Sequence, residues 1–83
     1  MLLMVRYFAS VREAIGAGSE QVATHVFSLA ELRDELIARG VPYADALARG
    51  KTIRMALNHV MRNESEPLIE GAEVAFFPPV TGG

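Results

Sequence analysis

Most residues able to do chemistry in this chain of 83 residues lack partners at a useful spacing. His25 falls on the polar side of an alternating segment and His59 in a turn, with no Ser or Asp placed to complete a catalytic set; both read as surface histidines. The carboxylates, from Glu13 to Glu73, are scattered, and no pair stands out as an acid/base couple. Gly16 and Gly18 form a G-x-G without a third glycine, which reads as a loop. The chain has no cysteine, so disulfides, zinc ribbons, redox thiols and iron–sulfur centres are excluded, and no metal site is expected. The chemistry concentrates at the end, Pro78-Pro79-Val80-Thr81-Gly82-Gly83. The prolines stiffen the exit toward an extended path. Six residues reach roughly 20 Å from a domain surface. The last two carry no side chain, so a terminal carboxylate there fits a narrow tunnel in another protein. Taken alone, a frayed end or a purification scar would look similar, although Phe76 to Gly83 runs on from the fold without a change of style.

The elements that must hold this tail follow from periodicity. Leu2 to Phe8 is an apolar run broken by Arg6 and reads as a strand. Alternation puts Leu3, Val5 and Tyr7 on one face and Leu2, Met4, Arg6 and Phe8 on the other. Ser10 and Glu13 make a capping box that predicts a short helix ending at Gly16 and Gly18. Gln21 to Val26 alternates as a second strand. Ser28 and Glu31 make a second capping box, followed by Leu29, Leu32, Leu36 and Ile37 at helical spacing. Glu31, Arg33, Asp34, Glu35 and Arg39 are assigned to the opposite, solvated face, with Glu35 and Arg39 as an i,i+4 pair. Gly40 and Pro42 end that helix. Tyr43 to Arg49 fits a short helix, Thr52 to Asn58 a strand, Val60 and Met61 a minor edge strand, and Glu73 to Phe77 the last strand.

A long helix inserted between hairpins packs across one face of a mixed sheet. With the first and last strands meeting centrally, the arrangement is an α+β β-grasp, the ubiquitin-like fold; a ferredoxin-like domain would want two long helices. The expected division is 1–77 for the β-grasp domain and 78–83 for a flexible tail. Leu3, Val5, Val22, Val26, Leu32, Leu36, Ile53, Met55, Leu57, Val74 and Phe76 are the expected core. Leu2, Met4, Phe8, Ala56, Ala75 and Phe77 fall on the sheet face away from the helix, as a docking surface anchored by Phe8 and Phe77.

Composition bounds the partners. The hydrophobic fraction is 51% and the formal net charge −2. Without a basic block, nucleic acid is not an expected partner. No apolar run approaches the roughly 20 residues of a membrane span. Met1 to Val5 meets Arg6 before a secretory core of about 7–15 apolar residues could form. The expected location is the cytoplasm.

The ending Phe76-Phe77-Pro78-Pro79-Val80-Thr81-Gly82-Gly83, after Gly71-Ala72-Glu73-Val74-Ala75, resembles the small subunits of molybdopterin synthase, the sulfur carriers of molybdenum-cofactor biosynthesis. Val5 to Glu13 is similar to the family's strand followed by "F-A-x-V-R-E", and the Leu-rich helix, Asn58 and Pro67-Leu68 also correspond. The resemblance spans the chain. It implies a non-catalytic subunit that serves as a cosubstrate in a heterotetrameric synthase. Gly83 would be adenylated by a separate E1-like activating enzyme that uses ATP, and a sulfur donor would convert it to a thiocarboxylate. The tail, Pro78 to Gly82 included, would enter the large subunit, where the sulfur passes to cyclic pyranopterin monophosphate. No cofactor would be bound by the chain itself. Arg12, from the "V-R-E" match, would add a polar contact at the rim of a docking face that includes Met4, Phe8 and Phe77. Carriers of thiamine synthesis or tRNA thiolation, and ubiquitin-like modifiers, remain as alternatives. The single lysine, Lys51, mildly disfavours a chain-forming modifier, and a plain adaptor would need neither the prolines nor the double glycine.

Overall fold

In the computed structural model, residues 1–79 are described. Their order is β1 (Leu2–Tyr7), α1 (Ala9–Ile15), β2 (Ser19–Ala23), α2 (Leu29–Ile37), α3 (Tyr43–Ala46), β3 (Arg54–Leu57), β4 (Val60–Arg62) and β5 (Glu73–Phe77). The strands form one mixed sheet ordered β2-β1-β5-β3-β4. β1 and β5 are parallel neighbours at its centre, with Val5 beside Val74 and Tyr7 beside Phe76. The other pairs are antiparallel. This is the β-grasp arrangement expected from the strand and helix order.

Alternation places the core. Leu3, Val5 and Tyr7 are buried under α2, together with Val22, Met55, Leu57, Val74 and Phe76. Leu29, Leu32 and Leu36 close the core from the helix side. Val26 and Ile53, expected inside, are partly buried at its margin. Tyr7 adds a ring stacked on Phe76, with centroids 6.2 Å apart.

The start of α2 follows the Ser28 capping box. Ser28 Oγ accepts from the Glu31 backbone N–H at 3.2 Å and donates to Glu31 Oε1 at 3.1 Å, satisfying groups that a helix N-terminus leaves open. The N–H groups of Leu29 and Ala30 donate to the carbonyls of Glu66 and Glu64. The segment before β5 is thereby tied to the helix.

Several local expectations are corrected. The Ser10–Glu13 box does not start α1, whose N-cap is Phe8 without a side-chain cap. The Phe8 N–H donates to the Phe76 carbonyl, and its own carbonyl accepts from Val11 and Arg12, so the helix begins where β1 releases the chain. β2 spans Ser19–Ala23 rather than 21–26: Arg6 pairs with Ser19 and Leu2 with Ala23, Thr24 then exchanges backbone hydrogen bonds with Met1, and past it the Val26 N–H turns to the Thr24 hydroxyl instead of a strand partner. α3 is a single turn that stops before Arg49, and β3 starts at Arg54 rather than Thr52. Arg33 is not on the solvated face. It is 4% exposed, and its guanidinium donates to the carbonyls of Leu47, Ala48 and Lys51. Glu35 and Arg39 do not pair with each other. Glu35 accepts from the buried Thr24 hydroxyl, and Arg39 pairs with Glu20 at 2.9 Å. Tertiary partners outcompete a solvated i,i+4 pair, which contributes only about 0.3–0.5 kcal/mol.

Candidate functional site

Two features converge on β5: the sheet face turned away from α2, and the point where the chain leaves the sheet. Along β5 the inward residues Val74 and Phe76 alternate with Glu73, Ala75 and Phe77 on the outer face. Register then assembles that outer face. Arg6 lies beside Ala75 on one side, and Ala56 lies opposite Ala75 on the other. Arg54 stands opposite Phe77, and Met61 opposite Ala56. Met4 and Phe77 are half-buried, while Leu2 and Phe8 are 46% and 43% exposed. The expected docking residues Leu2, Met4, Phe8, Ala56, Ala75 and Phe77 therefore share one face. Ala56 lies deepest, being buried on a strand flanked on both sides.

The face is not uniformly apolar. Arg6 Nε lies 3.3 Å from Glu73 Oε1, and His59 Nε2 lies 3.5 Å from the other oxygen. Parity alone puts Arg6 and Glu73 on this face, and the parallel register brings them together. The apolar residues are thus arranged around a charge pair.

The β3–β4 turn adds a residue that sequence reasoning missed. Asn58 and His59 both have positive φ, 49° and 70°, the backbone of a two-residue hairpin turn whose twist matches the strands. Asn58 also accepts from the Glu73 N–H through its side chain at 2.9 Å and donates its own N–H to the Glu73 carbonyl at 2.8 Å. This turn fixes the register that places Met61, 54% exposed, on the outer face beside Ala56. The Asn58-His59 pair was the available signal, because a two-residue turn there makes Met61 pair with Ala56.

Arg12 sits on the exposed side of α1, flat against Gly18. A Cβ added at Gly18 would come within 3.2 Å of Arg12 Nε, so the bare glycine is what allows the approach. The Gly18 carbonyl accepts from the Tyr7 N–H, which anchors this corner to the end of β1. Arg12 is therefore at the end of the sheet where β5 finishes.

Pro78 and Pro79 follow β5 and are half-buried. Val80, Thr81, Gly82 and Gly83, the remaining residues expected to act, lie outside the described residues. Among the described residues no group of three or more His, Cys, Asp or Glu side chains comes together, and no helix is long and apolar enough to cross a membrane.

One polar cluster lies away from this face. Glu20 Oε2 accepts from the Tyr7 and Tyr43 hydroxyls at 2.9 and 2.7 Å, and Arg39 donates to Oε1. Burial opposes ionisation of Glu20, but the hydrogen bonds from Arg39, Tyr43 and Tyr7 outweigh it and hold the carboxyl below its ordinary range. Burial, reinforced by the Glu20 carboxylate, pushes the Tyr7 hydroxyl well above its ordinary value, so it stays a donor. The cluster braces β1 and β2 against α3.

A five-stranded mixed sheet in the order β2-β1-β5-β3-β4, crossed on one face by α2, defines the ubiquitin-like β-grasp class of fold. The crystal structure of SAMP1 from Haloferax volcanii has the same fold, with a TM-score of 0.76 and 24% identity over 100% of both chains. Residues 5–83 match the ThiS family, and the chain belongs to that family. It is 40% identical to the molybdopterin synthase sulfur carrier subunit of Escherichia coli (strain K12), over 99% of this chain and 100% of that one. It is also similar to a chain in the complex of subunits 1 and 2 of molybdopterin-converting factor from Helicobacter pylori 26695, with a TM-score of 0.67, 27% identity and 100% of both chains covered.

Proposed function

We propose that the chain is the sulfur-carrier subunit of a molybdopterin synthase in the cytoplasm. The full-length likeness to the Escherichia coli carrier subunit carries this reading. The geometry supports it, because the strand that leads to the tail also supplies Phe77 to the outer face. A carboxylate is a poor electrophile. A Gly83 oxygen attacks the α-phosphate of ATP in a separate activating enzyme, and pyrophosphate leaves. Sulfur from a donor then displaces AMP from the acyl carbon and leaves a thiocarboxylate. The loaded tail enters the large subunit, where its sulfur is passed to cyclic pyranopterin monophosphate. With no cysteine, the chain cannot hold the sulfur as a persulfide, so the terminus is the group that carries it. The chain supplies the docking face and the reactive end, and its partners supply the catalytic side chains. This makes it a cosubstrate rather than an enzyme.

The test is to incubate the protein with its activating enzyme, ATP and a sulfur donor and to weigh it intact. The expected result is a mass gain matching replacement of one oxygen by sulfur, absent when Gly83 is deleted. A full-length chain that never gains sulfur, or a deletion that gains it equally, overturns the reading.

A further inference from the structure

Register sorts the charged strand residues between the two faces of the sheet. Glu20 and Arg62 stand opposite the inward residues Val5 and Met55. Arg6, Glu73 and Arg54 are on the outer face, with Arg54 at its Phe77 end. Arg6 and Glu73 meet within that face. Arg6 Nε lies 3.3 Å from Glu73 Oε1, and the two side chains keep 50% and 25% of their surface exposed. By alternation Met4 and Phe8 flank Arg6 along β1, and Ala75 lies beside it on β5.

Glu73 is held through both its backbone and its side chain. Its N–H donates to Asn58 Oδ1 at 2.9 Å, and its carbonyl accepts from the Asn58 N–H at 2.8 Å. Its carboxylate stands between Arg6 and His59, whose Nε2 is 3.5 Å from Oε2. An ion pair this exposed adds little to folding. Its consequence lies in what covers it.

We propose that Arg6 and Glu73 are specificity-determining residues of the docking face: the large subunit closes over them as a matched pair, and neither charge is tolerated there alone. The inference rests on the sulfur-carrier reading above. Reach supports the cover. The tail enters the partner, so contact begins where β5 ends at Phe77. Glu73 lies four residues back along β5, roughly 13 Å at the rise of a strand. A standard interface takes roughly 800 Å² from each partner, a disc of roughly 16 Å radius. A footprint centred on the tail exit therefore passes over Arg6 and reaches Glu73. Beneath it both side chains lose water, and a charge without its counter-charge is costly there. Matched, the two need no charged group from the partner, so the surface that fits is apolar, like the residues around the pair.

The experiment is surface plasmon resonance of the full-length protein on its immobilised large subunit, with Glu73→Gln, Arg6→Met and the double variant. All three should melt like the parent, because the bonds to Asn58 use the Glu73 backbone. The single changes move the net charge of −2 in opposite directions, so long-range steering would shift their association rates in opposite senses. A covered pair instead makes both singles dissociate faster. Glu73→Gln is expected to lose about tenfold in affinity, and Arg6→Met about threefold, since His59 still faces the remaining carboxylate. The double variant should return to within about twofold of the parent, because replacing both members of a covered pair is close to neutral. Three results overturn the proposal while leaving the carrier reading intact. They are parent-like dissociation of both singles, opposite shifts in association that vanish near about 500 mM salt, and a double variant as weak as the two losses combined. A parent protein that forms no complex overturns both.

Discussion

Tyr7 donates its hydroxyl to Glu20 at 2.9 Å across the β1–β2 pair, so a core aromatic ends on a carboxylate at the edge of the sheet. The sign of the resulting pH effect follows from the depressed Glu20 carboxyl. The folded state releases this proton more readily than the unfolded chain. Its contribution is therefore complete above the ordinary value of 4.5 and is lost as pH falls through the lower folded value. Urea midpoints measured over an acidic pH series should drop in that window. Glu20→Gln should flatten the drop and destabilise the protein by about 1–3 kcal/mol at neutral pH, since the Tyr7 and Tyr43 hydroxyls and Arg39 lose a charged partner. An undiminished pH dependence in the variant would assign the acid sensitivity elsewhere.

Arg33 supports the second prediction. Three backbone carbonyls between Leu47 and Lys51 depend on its guanidinium, and these residues lead into β3. Arg33→Leu should cost about 2–4 kcal/mol, because buried acceptors are left without donors even though the apolar volume is kept. Arg33→Lys should recover little, since an ammonium lacks the planar fork that reaches three carbonyls. Chemical denaturation of the two variants decides this. Parent-like stability of Arg33→Leu would mean that solvent satisfies those carbonyls.

Arg33 also shows where sequence reading reaches its limit. The strand faces were legible because alternation has a fixed period, and Leu3, Val5, Val74 and Phe76 fell inward as expected. Ser28 and Glu31 announced α2 because that cap is local chemistry. Charge, by contrast, argued that Arg33 was solvated, although it lies four residues after Leu29 and three before Leu36, on the apolar stripe. Its partners are carbonyls of a distant loop, which carry no side-chain signature. Which residues share the outer sheet face was readable up to Phe77, but the place of Met61 depended on the register set by Asn58 and His59. The Arg6–Glu73 pair depended on β1 and β5 lying parallel.

Leu36 tests the core. It is fully buried under the sheet, between the α2 backbone and the inward side chains of the strands. Leu36→Ala should lower stability by about 2–5 kcal/mol through lost burial and the cavity left behind. The unfolding free energy from denaturant titration gives this directly. A loss under about 1 kcal/mol would indicate that the site collapses around the smaller side chain.

The last prediction separates docking from delivery. Phe77 lies on the outer face of the central strand pair, between Arg54 on β3 and the end of β1. Its ring is half-buried, so removing it costs the isolated domain little compared with a core residue such as Phe76, which is fully buried. In a complex the exposed part of the ring would be covered, and a buried aromatic anchor is worth about 2 kcal/mol or more. Phe77→Ala should therefore weaken calorimetric binding to the large subunit by that amount, with a modest change in melting temperature. Deleting Gly83 acts on the other step. It leaves the docking face untouched and moves the terminal carboxylate back by roughly 3.5 Å, while misplacement on a 1 Å scale is already costly to a reaction. The deletion should bind the large subunit with most of the parent affinity yet transfer no sulfur. Gly82→Ala should lie between, because its added Cβ widens the chain where it must be thin and restricts the backbone. If Phe77→Ala binds normally while the Gly83 deletion loses binding, the tail rather than the sheet face holds the complex together, and the docking surface assigned to β1, β5 and β3 is wrong.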